Sequence, residues 1–224
     1  ILNTFNNCSY CISSPIDEIY EKIDLEKLFE SVDETILKPF KVTHLSLTGG
    51  ETGVYAEQII KGIENISPVN LIMYSNGTIL ESKWRNSSKF YETQYVIALH
   101  ESSYDYTLNI LKRMPYNLNV GVLLILSGDY NIIKIMHDIE NLPLKYVVAT
   151  PMVSPIESPE SFNFLKFKTD FFVLSPKARY LLLEGYRVNN RSGACRKGKV
   201  LSISSNGKVS FCSQKMYNNV GDIS

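Results

Sequence analysis

The sequence predicts an α/β fold of parallel strands and helices, because two kinds of segment alternate through residues 1–150. Short runs rich in apolar and β-branched residues are separated by longer charged segments whose apolar residues recur every three or four positions. The short runs are continuously apolar, which is typical of strands buried on both faces of a parallel sheet. Six strand–helix units fill about 150 residues, fewer than the roughly 250 of an eight-unit barrel. The pattern predicts a partial barrel or an open, doubly wound sheet.

The predicted strands are short and evenly spaced. A stump at Ile1–Asn3 is followed by five clear strands, at His44–Leu47, Val69–Tyr74, Tyr95–Leu99, Val120–Leu126 and Tyr146–Val148. Helical spacing of the apolar residues predicts helices between them, at Ile16–Leu37, Tyr55–Ile66, Tyr106–Met114 and Tyr130–Leu142. Each helix lies between two strands, as the crossover connections of a parallel sheet require.

The character of the chain changes after Pro151, where a cluster of prolines predicts a linker. Ser175 is a predicted N-cap, with Pro176 in the first turn of a helix. Near the end, Asn206-Gly207 separates two β-rich runs, which is a strong signal for a hairpin. The predicted domains are a strand–helix domain at 1–150, a linker and helix at 151–190, and the start of a small β domain at 191–224.

The composition excludes several classes of protein. Lys+Arg and Asp+Glu are both 23, so the formal net charge is zero and the chain has no overall field to attract phosphate backbones. We therefore expect no nucleic-acid partner. The 44% hydrophobic content excludes a disordered chain. The longest apolar stretch, Val120–Leu126, is far shorter than the roughly 20 residues that cross a bilayer. We expect no membrane association and, without a signal-type start, a cytoplasmic location.

Four cysteines form two pairs along the chain. Cys8 and Cys11 make a Cys-x-x-Cys motif, and Cys195 and Cys212 stand near the other end. In a chain without a secretion signal, a close thiol pair indicates metal binding or redox chemistry before it indicates a structural disulfide. Buried free cysteines, or a thiol–disulfide pair at Cys8 and Cys11, are the alternatives.

Polar motifs follow the predicted strands at their carboxyl ends, where a barrel places its active site. Cys8–Cys11 follows the first strand, Thr48–Glu51 the second and Ser75–Thr78 the third. His100-Glu101 follows the fourth, either as a contact to substrate or cofactor or as an ordinary surface pair. Each motif alone could be a tight turn or an exposed carboxylate. Their shared location predicts one cavity, lined by Cys8, Cys11, Gly50, Glu51 and Asn76.

These motifs resemble those of the radical S-adenosylmethionine superfamily, in the subgroup with a SPASM or twitch extension. That family has Cys-x-x-x-Cys-x-aromatic-Cys after its first strand, Gly-Gly-Glu after the second, and Thr-Asn-Gly or Ser-Asn-Gly after the third. The chain has Cys8-Ser9-Tyr10-Cys11, Gly49-Gly50-Glu51 and Ser75-Asn76-Gly77. The extension carries a cysteine and then Gly-x-x-x-x-Cys, which Cys195 and Gly207–Cys212 match. The resemblance covers nearly the whole chain.

The resemblance implies a partial (β/α)6 TIM-like barrel of parallel strands, with a small C-terminal β-hairpin of the SPASM or twitch type. It implies that Cys8 and Cys11 bind a [4Fe-4S] cluster and that Cys195 and Cys212 bind an auxiliary [4Fe-4S] cluster. Thiolates are soft ligands suited to such clusters. It also implies contacts to S-adenosyl-L-methionine, with Glu51 on the methionine ammonium and Tyr10 on the adenine. The implied cofactor-binding residues are Tyr10, Gly49, Gly50, Glu51, Ser75 and Asn76.

The activity that the resemblance implies is reductive cleavage of S-adenosylmethionine, followed by hydrogen abstraction from a substrate by the 5′-deoxyadenosyl radical. The expected substrate is a ribosomally made peptide or protein, or a small molecule, and the expected reducing partner is a flavodoxin or ferredoxin. No residue that reacts with the substrate is assigned. Thr4 stands where the family has its first cluster cysteine. The alternative is therefore a non-catalytic relative that has lost the barrel cluster and only binds a ligand.

Overall fold

The fold is taken from a computed structural model. It describes residues 24–48, 51–100, 103–126, 131–151, 164–183, 201–203, 208–210 and 219–222. The predictions for the strand at 1–3, the four cysteines, Tyr10, Gly49, Gly50 and the turn at 204–207 all lie outside the described residues. The architecture below concerns the described ranges.

Five strands form one parallel sheet. They are β1 (His44–Leu47), β2 (Asn70–Ser75), β3 (Gln94–Leu99), β4 (Asn119–Leu126) and β5 (Tyr146–Pro151). Their order in the sheet is β1-β2-β3-β4-β5, and every neighbouring pair is parallel. The α/β prediction is confirmed. The order follows the chain and, among the described strands, does not reverse as it does in a doubly wound sheet.

A helix precedes β1, and helices connect three of the strand pairs. The first is α1 (Leu25–Val32), which continues as a π-helical turn (Asp33–Leu37). The others are α2 (Ala56–Glu64) between β1 and β2, α3 (Tyr104–Arg113) between β3 and β4, and α4 (Ile132–Ile139) between β4 and β5. Two 3₁₀ turns, Thr78–Glu81 and Lys83–Asn86, lie between β2 and β3. Asp24 has an extended backbone, and its side chain accepts a hydrogen bond from the Lys27 backbone N–H. This N-cap starts α1 at Leu25, so the prediction of one continuous helix from Ile16 is wrong. Within the described ranges, no helix combines the length and apolar character needed to span a membrane.

The region predicted to begin as a linker contains a helix that the sequence reading missed, α5 (Phe164–Val173). Its apolar residues surround the helix and do not form one stripe, and Leu165 and Phe172 are both exposed. The periodic signal was therefore absent. Residues 176–183 form the next helix, α6. The Ser175 hydroxyl oxygen accepts a hydrogen bond from the Ala178 N–H at 3.0 Å, which confirms the predicted N-cap.

The main core lies between the sheet and its helices. On that face of the central strands, every second side chain has no exposed surface; these residues are Tyr95, Ile97, Leu99, Val120, Val122 and Leu124. Helix residues such as Leu111 and Met136 pack against the same cluster. The prediction of strands buried on both faces is wrong for β1 and β2, because β1 is half-buried or exposed throughout and β2 alternates. β1 is one of the two edge strands of the described sheet, and it is less covered than the other, β5, in which Val147 and Val148 are buried.

A second, antiparallel sheet lies near the carboxyl terminus. It contains β6 (Ser202–Ile203), β7 (Lys208–Ser210) and β8 (Asn219–Asp222). Ile203 pairs with Val209, on either side of the predicted Asn206-Gly207 turn. The turn itself and Cys212 lie outside the described residues, so the hairpin and its metal ligands stay predictions.

Candidate functional site

Glu51, Ser75 and Asn76 lie together at one edge of the parallel sheet. Glu51 follows β1, and Ser75 and Asn76 stand where β2 ends, so the parallel pairing brings them to the same edge. The Ser75 hydroxyl donates a hydrogen bond to Glu51 Oε1 at 2.6 Å, and the Asn76 N–H donates to Glu51 Oε2 at 2.8 Å. The Gly53 N–H also donates to Oε1, at 3.0 Å. We call these four residues the Glu51 site.

The turn after β1 places the carboxylate. Glu51 has an extended backbone and is the N-cap of a 3₁₀ turn at Thr52–Tyr55, which explains the bond from Gly53. The Thr52 hydroxyl donates to the Tyr74 carbonyl at 3.0 Å and fastens this turn to β2. A Cβ on Gly53 would lie 2.4 Å from Thr78 Oγ1 and 2.7 Å from the Ile79 nitrogen. Only glycine allows the turn to approach so closely.

The turn after β2 is held by its own side chains. Ser75 Oγ accepts hydrogen bonds from the N–H groups of Gly77 and Ile79, at 2.9 and 3.3 Å. Asn76 Oδ1 accepts from the Thr78 N–H at 3.1 Å, and Gly77 adopts a φ of 109°, which favours glycine. Ser75 and Asn76 are each only 5% exposed. The turn at the carboxyl end of β2 is therefore held in place by its own hydrogen bonds.

Helix α3, which follows β3, also contacts the turn after β2. The Thr107 hydroxyl, which is fully buried on α3, donates to the Asn76 carbonyl at 2.9 Å. Sequence reasoning missed the contributions of Thr107, Gly53 and Thr52. The Glu51-x-Gly53 spacing could have indicated a capping turn. No local signal could have identified Thr107, because it is 31 positions from Asn76 and meets it only through the crossover of the chain.

The Glu51 carboxylate accepts three hydrogen bonds from uncharged donors. Among the described residues, no lysine, arginine or histidine forms a salt bridge with it. A carboxylate can accept about four hydrogen bonds. Among the described residues, Oε1 accepts two hydrogen bonds and Oε2 accepts one, which leaves one lone pair of Oε2 for another donor. This remaining acceptor site suits a cationic donor such as an ammonium, because hydrogen bonds between charged groups are stronger than those between neutral groups.

The negative charge of Glu51 influences residues on neighbouring elements. Burial lowers the pKa of His100, which follows β3, and the charge of Glu51 partly opposes that shift. Burial raises the pKa of Tyr106 on α3, and the charges of Glu81 and Glu51 raise it further. His100 is therefore a predominantly neutral imidazole at neutral pH, on the same edge as the carboxylate.

The structure brings together three of the residues that the sequence assigned to cofactor binding: Glu51, Ser75 and Asn76. Their role in binding a cofactor stays a prediction. The others, Cys8, Tyr10, Cys11, Gly49, Gly50, Cys195 and Cys212, lie outside the described residues, so their expected convergence on Glu51 also stays a prediction. In the described ranges, no group of three His, Cys, Asp or Glu residues is arranged to hold a metal ion.

Comparison with known proteins leaves the family open. No protein-family model matches the chain, and no curated protein has a significantly similar sequence. The motifs and the geometry of the Glu51 site are therefore the observations that bear on function.

Proposed function

We propose that this protein is a radical S-adenosylmethionine enzyme of the SPASM or twitch subgroup, acting on a ribosomally made peptide or protein. The observation that carries the proposal is the Glu51 carboxylate of Gly49-Gly50-Glu51, held beside Ser75-Asn76 without a cation among the described residues. Such a carboxylate is suited to the ammonium of the methionine moiety. The motif order along the chain supports the same assignment.

The parallel sheet supports the fold that this proposal requires. A (β/α)6 TIM-like partial barrel has parallel strands in chain order with helices on its outer face, and its active site lies at the carboxyl ends of the strands. The five described strands follow that order, and Glu51 lies at that edge. The antiparallel pairing of β6 with β7 is compatible with a twitch-type hairpin.

In this proposal, each motif has one task. Cys8 and Cys11 hold a [4Fe-4S] cluster, Cys195 and Cys212 hold an auxiliary cluster, and Glu51 holds the ammonium of S-adenosylmethionine. When bound, the cluster and S-adenosylmethionine supply one-electron cleavage chemistry and hydrogen abstraction. The electron comes from a flavodoxin or ferredoxin partner. Burial around Ser75 and Asn76 excludes water from one side of the Glu51 carboxylate and strengthens its interaction with a cation.

The test is to measure iron, sulfide and S-adenosylmethionine binding on the full chain, purified without oxygen. We expect iron and sulfide in the proportion of a [4Fe-4S] cluster, and an EPR signal from the reduced protein. Equilibrium dialysis should show that Glu51→Gln weakens S-adenosylmethionine binding about tenfold to a hundredfold, because a charge-assisted hydrogen bond is lost. Glu64→Gln, at the exposed end of α2, is the matched control and should bind like the wild type.

The same measurements distinguish the enzyme from the second hypothesis, a relative that binds its ligand without catalysis. Thr4 in place of a cluster cysteine favours a non-catalytic relative that binds its ligand without a barrel cluster. Wild-type protein that binds S-adenosylmethionine but contains no iron would support that relative. Wild-type protein with neither iron nor S-adenosylmethionine binding would show that both hypotheses are wrong.

A further inference from the structure

The Ser75 hydroxyl uses its full hydrogen-bonding capacity inside the protein. A serine hydroxyl has one proton to donate and two lone pairs with which to accept. Ser75 donates its proton to Glu51 Oε1 and accepts from the N–H groups of Gly77 and Ile79. The residue is also only 5% exposed. It has neither the free lone pair nor the accessible surface that contact with a ligand would require.

We infer that Ser75 is a positioning residue for the Glu51 carboxylate and is not itself a ligand of S-adenosylmethionine. The inference rests on the proposed function and refines it. It replaces the expected direct contact between Ser75 and S-adenosylmethionine by an indirect role through Glu51.

The geometry explains what Ser75 does. The Ser75 hydroxyl and the Gly53 N–H both donate to Oε1, and among the described residues Oε2 has one donor, the Asn76 N–H. Ser75 therefore determines which carboxylate oxygen keeps a free lone pair. Because the same hydroxyl accepts from Gly77 and Ile79, it also links the carboxylate to the turn after β2. Without it, the carboxylate could rotate and lose its orientation.

A double-mutant cycle separates this positioning role from direct contact. The full chain, purified without oxygen, is prepared as wild type, Ser75→Ala, Ser75→Thr, Glu51→Gln and the Ser75→Ala/Glu51→Gln double variant. Dissociation constants are measured for S-adenosylmethionine and for 5′-methylthioadenosine, which shares the adenosine part and lacks the amino-acid part. Thr93→Val is the control, because its buried hydroxyl bonds the Lys89 carbonyl at the amino end of β3.

We expect Ser75→Ala to weaken S-adenosylmethionine binding by on the order of tenfold, and to leave 5′-methylthioadenosine binding unchanged. Ser75→Thr keeps the hydroxyl and should recover most of the affinity. The double variant should bind no more weakly than Glu51→Gln, because Ser75 acts only through that carboxylate. Additive losses, or equal losses for both ligands, would show that Ser75 contacts the ligand directly and would overturn the inference.

Hydrogen exchange gives a readout that does not depend on the ligand. In the full chain, Ser75→Ala and Glu51→Gln should each increase exchange at the Gly53 and Asn76 amides, since both donate to the carboxylate. Unchanged protection of these amides in Ser75→Ala would overturn the positioning role. If wild-type protein does not bind S-adenosylmethionine, the proposed function fails, and the exchange result still decides whether Ser75 holds Glu51.

Discussion

A carboxylate lies near each end of β2, and the two carboxylates differ in the charge of the groups that bind them. At the amino end, Asp33 is only 3% exposed, accepts from the Ser67 N–H at 2.9 Å and forms a salt bridge with Lys38 at 3.0 Å. At the carboxyl end, Glu51 receives only uncharged donors among the described residues. Asp33 therefore has its counter-charge within the chain, whereas Glu51 has none among the described residues.

The two carboxylates differ in whether a described residue supplies a counter-charge. Both accept backbone hydrogen bonds that hold a loop, although Asp33 is buried and Glu51 is half-buried. Backbone contacts alone would not distinguish them. The difference is the presence of a cation, because a buried charge is stable only when its charge is compensated or well hydrogen-bonded. In parallel barrels, the amino ends of strands serve stability and the carboxyl ends serve chemistry.

The largest expected effect is the loss of stability in Asp33→Ala. This change removes the charged acceptor of the Ser67 N–H and one of the two carboxylates that pair with the half-exposed Lys38. We expect it to cost about 3 kcal/mol of the free energy of unfolding in urea, mainly because the N–H loses its charged hydrogen-bond partner. Glu34→Ala is the control, because Glu34 pairs with the same Lys38 but is 63% exposed. It should cost less than about 1 kcal/mol. Equal costs for the two variants would remove the distinction between a buried and a surface partner.

A smaller effect is expected at the other end of β2. Gly53→Ala forces a Cβ against Thr78 Oγ1 and the Ile79 backbone, and should cost about 2 kcal/mol of the free energy of unfolding. Because Gly53 donates to Glu51, the same variant should also weaken S-adenosylmethionine binding. Val54→Ala, at a neighbouring position that is 56% exposed, should change little. An unaffected Gly53→Ala would mean that the two turns are not packed together.

The smallest effect concerns acid pH. Burial by itself raises the pKa of Asp33, but hydrogen bonds from Ser67 and Lys38 and the charge of Lys38 outweigh it, so its pKa lies below the usual 3.8. A lowered pKa in the folded state stabilises the protein fully above the unfolded value. That contribution is lost as the pH falls below about 4, through the folded pKa. Between pH 5 and pH 2.5, the midpoint temperature of thermal unfolding should fall less steeply in Asp33→Asn than in the wild type. Equal slopes for the two proteins would contradict this assignment.

Much of the fold could be predicted from local patterns. β1 has the predicted bounds, His44–Leu47, and the other strands of the parallel sheet differ mainly at their ends. Apolar runs and helical spacing are local properties, so they can be recognised in a single sequence. The missed helix α5 shows the limit of this reading. Its apolar residues surround the helix, and exposed ones such as Leu165 are indistinguishable in sequence from buried ones.

The sequence by itself determined which residues could form a site: Glu51 after one strand, and Ser75 and Asn76 after the next. It did so because turn and capping residues must follow each strand at the same edge of a parallel sheet. Only the tertiary structure decided the order of the strands and therefore which of these residues meet. It also decided that the hydrogen bonds to Glu51, Gly77 and Ile79 occupy the donor and both acceptor positions of the Ser75 hydroxyl. Hydrogen-bond saturation and the pairing of a carboxylate with a counter-charge depend on distances between segments far apart in the chain, and no spacing along the sequence contains those distances.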